Sequence, residues 1–320
     1  MKKSLLVLAA ICASFAWSAF AAAYPEKPVR LILGVGAGGA PDITARIFTA
    51  KLGEILGQQI VVDNRPGAGG IIGMEAVARS APDGYTLFMC GVSQAIRPAM
   101  HAKLAFDVVR DFTRISLYGA VPNILVVNPA VPVRTLAEFV SHARANPGTL
   151  RYASSGVGLS PHLTMEYFRT LAKINLLHVP YKTGAQAVNE LIAGEVHTQF
   201  SNFPTQLTNI KSSKVRAIAI TALKRHEALP EVPTFDESGY PGFEITVWYG
   251  LCGPAKMAAA ITGKLAASTA QALLAADLRQ RYFDLGVEPR DWAGPKFDAF
   301  YKSEVARWVK VARDAGIKPE

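Results

Sequence analysis

Apolar positions along the chain fall into short, continuous runs separated by stretches with a helical period. Val29–Leu33 and residues 59–62 and 85–89 read as buried strands, each bounded by Gly, Pro or Asp. Residues 43–56 and 74–79 between them carry the i, i+3, i+4 spacing of helices. After Pro122 the scheme resumes. Strands are predicted at 124–127, 150–153, 176–179, 196–200 and 215–220, and helices at Leu136–Ala145, 163–171 and 185–192. Such alternation implies parallel sheets with helices on both faces.

Two comparable α/β halves predict two domains with a cleft between them. The proline-rich stretch 121–132 is the expected outward crossing, and 230–240 leads to the return. One more strand at 245–251 and helices at 256–275, 277–285 and 296–314 would then complete the first domain. The expected division is residues 24–122 with 245–320 as one discontinuous domain and 123–244 as the other.

Composition changes this picture at the N-terminus. Lys2 and Lys3 precede a charge-free apolar stretch that ends in small residues at Ala19, Ala21, Ala22 and Ala23, the pattern of a cleavable signal peptide over residues 1–23. The stretch is shorter than the roughly 20 apolar residues of a spanning helix. Export to the periplasm is the expectation. Removing Lys2 and Lys3 lowers the formal charge of +9 to +7, since no acid lies in that segment. No run of basic residues interleaved with aromatics marks a nucleic-acid track, so the excess suits small anions instead. An oxidising compartment permits a disulfide between Cys90 and Cys252. Strand geometry rarely suits one, and two buried thiols at strand ends are the expectation. The histidines show no paired ligand spacing, and neither a metal nor a cofactor is expected.

The tract from Gly34 to Gly39 follows a strand, precedes a helix and formally fits G-x-G-x-x-G. Together with Asp63 it offers an alternative reading, an NAD(P)-binding oxidoreductase built on Gly34, Gly36 and Gly39. Pro41 argues against it. Proline is suited to the first helical position, so the helix should begin after the third glycine, with Ala40 as N-cap. Asp63 also lies beyond the usual separation of about 20 residues. The other reading is an anion site: free N–H groups at a helix start, with Gly38 and Gly39 allowing close approach and Asp42 partly offsetting the dipole.

A second such start lies at 154–162. Ser160 is the expected N-cap and Pro161 the first helical residue. Ser154 and Ser155 stand at the C-terminal end of a parallel strand, where open α/β sheets bind ligands. His162 either donates to a ligand or covers the loop. The sequence is not G-x-S-x-G, and no nucleophile, acid–base pair or metal set with supportive spacing is found, so no enzymatic activity is expected.

The segments 24–30, 38–42, 64–70, 81–87, 111–112, 121–123, 152–156, 160–163, 178–182, 229–234 and 248–250, in order along nearly the whole mature chain, resemble the Bug-type periplasmic receptors of tripartite tricarboxylate transporters. The resemblance implies a two-domain Venus flytrap that holds a small mono- or dicarboxylate between its domains through two pincer loops, with no chemistry. It would be a monomer serving membrane components of a transporter, or a sensor. Phe200-Ser201-Asn202 departs from the family's F-D-N, and losing an acid there favours a plain carboxylate over an amino acid. The candidate ligand-binding residues are Gly38, Gly39, Ser93, Ser154, Ser155, Ser160, His162 and Asn202. Lys182 and Arg65 are possible counter-charges, and Trp248 either walls the cleft or sits in the core.

Overall fold

The structure, a computed structural model, describes residues 24–101 and 103–314. The expected signal peptide lies outside the described residues. Strand β1 (Val29–Leu33) buries all but Arg30 of its residues. It pairs in parallel with β2 (Ile60–Asn64) on one side and β3 (Thr86–Gly91) on the other. Helix α1 (Ala40–Leu56) links β1 to β2 and buries Ala45, Phe48 and Leu52, one face of its helical period. It ends at Gly57, whose φ of 72° is the left-handed closure glycine permits. A short 3-10 turn (Ala68–Gly70), α2 (Ile71–Ala78) and α3 (Val92–Met100) complete this block's first pass.

The sixteen-residue strand β4 (Phe112–Val127) carries the chain into the second block. Then follow α4 (Leu136–Ala145), β5 (Arg151–Ser154), α5 (Ser160–Ala172), β6 (Leu177–Pro180), α6 (Gly184–Ala193), β7 (Thr198–Asn202), α7 (Phe203–Lys211) and β8 (Arg216–Ile220). The chain returns on β9 (Thr246–Pro254), continues through α8 (Ala259–Leu274) and α9 (Ala276–Leu285), and closes with β10 (Trp292–Ala293) and α10 (Gly294–Asp314). Among the described residues the ten strands form one curled sheet, ordered β2-β1-β3-β9-β4-β7-β5-β6, with β8 and β10 pairing on β4 beside this path. Among the same residues no helix is long and apolar enough to cross a membrane.

Each block contains three parallel strands, β2-β1-β3 and β6-β5-β7, flanked by helices. The sheets are mainly parallel, as expected, and the connecting strands are the exception, because both run antiparallel to their neighbours. A chain that leaves one block on β4 and returns on β9 must bring them together head to tail. The reach of β4 was also unexpected, since only its last residues read as strand. Pro122, which suggested a loop, sits where β4 changes partners: Phe112 to Pro122 pair with β9, and Asn123 to Val127 pair with β7 and β8. The missing N–H therefore falls at a break in the ladder.

The larger apolar cluster covers the first block and continues onto one face of the second, through Tyr152, Phe168 and Phe200. A smaller one, with Ile124, Leu191 and Phe203, packs the opposite face. Cys90 and Cys252 form a disulfide, against the expectation of two thiols, with an S–S distance of 2.04 Å and Cα atoms 5.8 Å apart. The register explains it. Cys90 faces Gly250 and Phe88 faces Cys252 on the adjacent antiparallel strands β3 and β9, so the cysteines are diagonal neighbours within bonding range. That adjacency is created by the return strand and cannot be read from spacing.

Candidate functional site

The C-terminal ends of β1, β5, β6 and β7 turn into helices beside one interblock cavity of about 370 Å³. Its wall includes the starts of α1 (Gly39, Ala40, Pro41), α3 (Ser93), α5 (Leu159, Ser160, Pro161), α6 (Thr183, Gly184) and α7 (Asn202, Thr205). Four of these five helices, α1, α3, α5 and α7, lack a side-chain cap. At α6 the Thr183 hydroxyl accepts from the Gln186 N–H. Prolines at the first turns of α1, α5 and α7 fix the entry of each helix without using an N–H. The positive ends of several helix dipoles therefore converge on one partly open cavity. Lys182 is the single charged side chain in the wall, and no carboxylate lines it among the described residues. The rest of the wall is largely apolar, with Val35, Pro66, Leu159 and Val247 among it.

Five of the eight candidate residues line this cavity: Gly39, Ser93, Ser155, Ser160 and Asn202. Gly39, not Ala40, is the N-cap of α1, and its carbonyl accepts from the Ile43 N–H. Likewise Leu159, not Ser160, caps α5. Ser160 is thereby released from capping; its Oγ accepts from Asn123 Nδ2 at 3.0 Å, leaving its own O–H to point elsewhere. Asn123, fully buried at the partner switch of β4, also donates to Thr164 at 2.8 Å and accepts from Asn202 Nδ2 at 2.8 Å. One buried amide thus sets two cavity residues from different helices.

Gly38, Ser154 and His162 do not line the cavity. The Gly38 N–H donates to Asp42 Oδ2 at 3.0 Å, and Asp42 also accepts from Arg46 and Asn64. Burial alone would raise the Asp42 pKa; the hydrogen bonds from Arg46, Gly38 and Asn64 outweigh it and hold the carboxyl below its ordinary value. Its charge is spent folding the glycine loop. Ser154 is buried, with Oγ 2.7 Å from His178 Nε2 and accepting from the Gly156 N–H at 3.3 Å. His162 covers the same loop from behind: its Nδ1 accepts from the Gly158 N–H at 3.1 Å, and its ring stacks on His178 with centroids 4.3 Å apart. Burial, with the Arg169 charge, pushes His162 down to about 4, and burial, with His162, does the same for His178. Both rings are neutral props of the loop.

Of the remaining residues, Arg65 pairs with Asp63 at 3.0 Å, and Trp248 is a core residue donating to Glu304 at 2.8 Å. Sequence reasoning passed over Tyr181, Thr183, Gln199 and Thr205, which also line the cavity. For Tyr181, Thr183 and Thr205 the signal was positional, since each lies just after a parallel strand, as Ser93 does; Gln199 lies near the start of β7 and had no such signal. Gln199 is 2% exposed, and its Oε1 has no hydrogen-bond partner.

Residues 44–317 match the family model described as the tripartite tricarboxylate transporter family receptor. The chain is 34% identical to protein BugT of Bordetella pertussis, covering 92% of this chain and 91% of that protein. Among solved structures it resembles Rpa4515 of R. palustris with adipate (TM-score 0.88, 32% identity, covering 93% of this chain and 100% of that one). It also resembles MatC (Rpa3494) of Rhodopseudomonas palustris with bound malate (TM-score 0.84, 30% identity, 90% and 99% covered). In place of a dinucleotide fingerprint, the glycine loop is one wall of a receptor's cavity, and the chain belongs to the family of tripartite tricarboxylate transporter receptors.

Proposed function

We propose that the protein captures a small carboxylate in the interblock cavity and hands it to the membrane components of a transporter. The observation that carries this reading is the convergence of uncapped helix N-termini on a cavity whose wall holds, among the described residues, one lysine and no acid. N–H groups at helix starts are charge-assisted donors to a carboxylate, and they act more strongly in an enclosed site. Gly39, Ser155 and Ser160 hold one carboxylate, with Ser93 and Asn202 completing the shell. Lys182 supplies a counter-charge for a second carboxylate. The cavity's apolar wall suits the carbon chain between them, in keeping with the adipate and malate held by the two structural relatives.

The domains of this reading are residues 24–122 with 245–320, and 123–244, rotating about the crossings. The partner change at Pro122 supports that division. Export through a cleaved N-terminal segment and action as a monomer belong to the same proposal; the Cys90–Cys252 bond supports an oxidising compartment.

The test is thermal unfolding of protein stripped by denaturation and refolding, then mixed with mono-, di- and tricarboxylates, amino acids or NAD. A true ligand at 100 times its Kd stabilises by about 2.7 kcal/mol. Stabilisation by NAD with none from any carboxylate would refute the proposal.

A further inference from the structure

Arg97 on α3 is among the largest side chains withdrawn from water, at 2% exposure. Its Nε donates to the Ser93 carbonyl at 2.9 Å, and its Nη2 crosses to the second block to donate to the Gly158 carbonyl at 2.5 Å. Nη1 lies 3.4 Å from His101 Nε2. Two glycines make room for it. A Cβ at Gly69 would lie 2.1 Å from Nη1, and one at Gly158 would lie 2.8 Å from Nη2. The guanidinium is wedged between a glycine loop of each block. Ser93, Gly69 and the flanking Val157 and Leu159 all line the cavity, so the cation sits one peptide layer behind its wall.

Among the described residues no carboxylate pairs with Arg97. Burial lowers its pKa to about 10, which still leaves it charged at neutral pH. Carbonyl oxygens accept from its Nε and Nη2 but do not neutralise it, and an uncompensated buried cation is unfavourable. This burial depends on the loop bearing Gly158 lying against α3.

We propose that Arg97 couples closure of the cleft to the charge of the occupant, latching the blocks through Gly158 and taking the bound carboxylate as its missing counter-ion. Closure without an anion leaves the cation uncompensated; closure on a carboxylate compensates it across the wall. Arg97 is therefore a positioning and selectivity residue that need not touch the ligand. The inference rests on the carboxylate reading of the cavity, and the two fail differently.

The experiment measures affinities of adipate against adipamide, and malate against malamide, by calorimetry on wild type, R97M and R97K. Small-angle scattering of the ligand-free proteins accompanies it. R97M keeps the bulk and removes the charge. Its carboxylate-to-amide ratio should fall at least tenfold, and its ligand-free form should become more compact. R97K keeps the charge without the reach to Gly158, so both affinities should fall while the ratio stays within about threefold of wild type. A merely structural arginine would lower both affinities in R97M and leave the ratio unchanged, and that result would overturn the proposal. R97Q, read by the same ratio, serves if R97M does not fold. Wild type that binds none of the four probes would count against the carboxylate reading itself.

Discussion

The Cys90–Cys252 bond gives the most exacting test of the fold. It joins residues 162 positions apart and staples β3 to the strand that returns from the second block. In the chain-entropy treatment, closing a loop of that length removes about 17 cal/mol/K from the unfolded chain, or about 5 kcal/mol at room temperature. Residual structure in the unfolded state lowers the measured value, so the C90A/C252A double variant should lose about 2–5 kcal/mol. Both sulfurs are buried, and removing them adds a small cavity cost to the same side of the balance. With about 2.1 cal/mol/K per residue over roughly 290 residues, each kcal/mol is worth slightly under 2 °C, giving a fall in Tm of about 3–8 °C. The assay is guanidinium unfolding of wild type, oxidised and reduced, beside the double variant. The reduced protein should match the variant, and both should show a larger m-value because the uncrosslinked chain expands further. Equal midpoints with and without reductant, under conditions where thiol titration shows the bond broken, would refute the chain-entropy reasoning, and two free thiols in the unreduced protein would refute the strand pairing that places the cysteines together.

Asn123→Ala removes the amide shared by Ser160, Thr164 and Asn202. It should cost about 2–3 kcal/mol in chemical unfolding and weaken carboxylate binding although Asn123 does not line the cavity. Ser160→Ala should weaken binding by about 1 kcal/mol, or roughly fivefold in Kd by calorimetry, with little change in Tm. The histidine pair predicts acid sensitivity. His162 titrates near 6.5 when unfolded but at about 4 when folded, so between those values the unfolded chain holds more protons. Stability should therefore fall as pH drops from about 6.5 to about 4 and then level off, by up to about 3 kcal/mol from His162. His162→Gln, which keeps an acceptor for the Gly158 N–H, should reduce that slope in pH-dependent unfolding curves.

Much of the architecture was legible in the sequence because parallel strands buried on both faces advertise themselves as apolar runs. Helix Leu136–Ala145 stood out by its period and is found with those bounds, and the helix expected at 277–285 is found at Ala276–Leu285. Two helices were not legible. α3 is nine residues long, contains Pro98 and follows β3 directly, so neither its length nor a turn signal set it apart from the strand. α7 begins at Phe203, with Pro204 in its first turn, directly after β7 and with no loop to announce it. At the site, the helix starts were found through Pro41 and Pro161, but each cap lies one residue earlier than expected. That shift matters for Ser160, which reaches the cavity because it is not consumed as a cap. Gly38 and Ser154 were misplaced for the opposite reason: their polar groups are occupied by Asp42 and His178, partners that only the fold brings near. The resemblance carried the family, while individual contacts depended on packing between segments far apart in the chain.

The position of β9 between β3 and β4 bears on biogenesis. Without that strand, the edge of the first parallel block and the long strand leading out of it have no common neighbour. It is contributed after residue 245, so the first block cannot be completed until most of the polypeptide is available. Contacts of such sequence separation form slowly, because loop closure precedes any gain from pairing. A precursor synthesised in the cytoplasm would consequently remain an unpaired, threadable chain for longer than one built from local hairpins. Under the proposed export, translocation would then precede folding, and the late strand β9 carries Cys252, whose bond to Cys90 would close the block only after the chain has crossed.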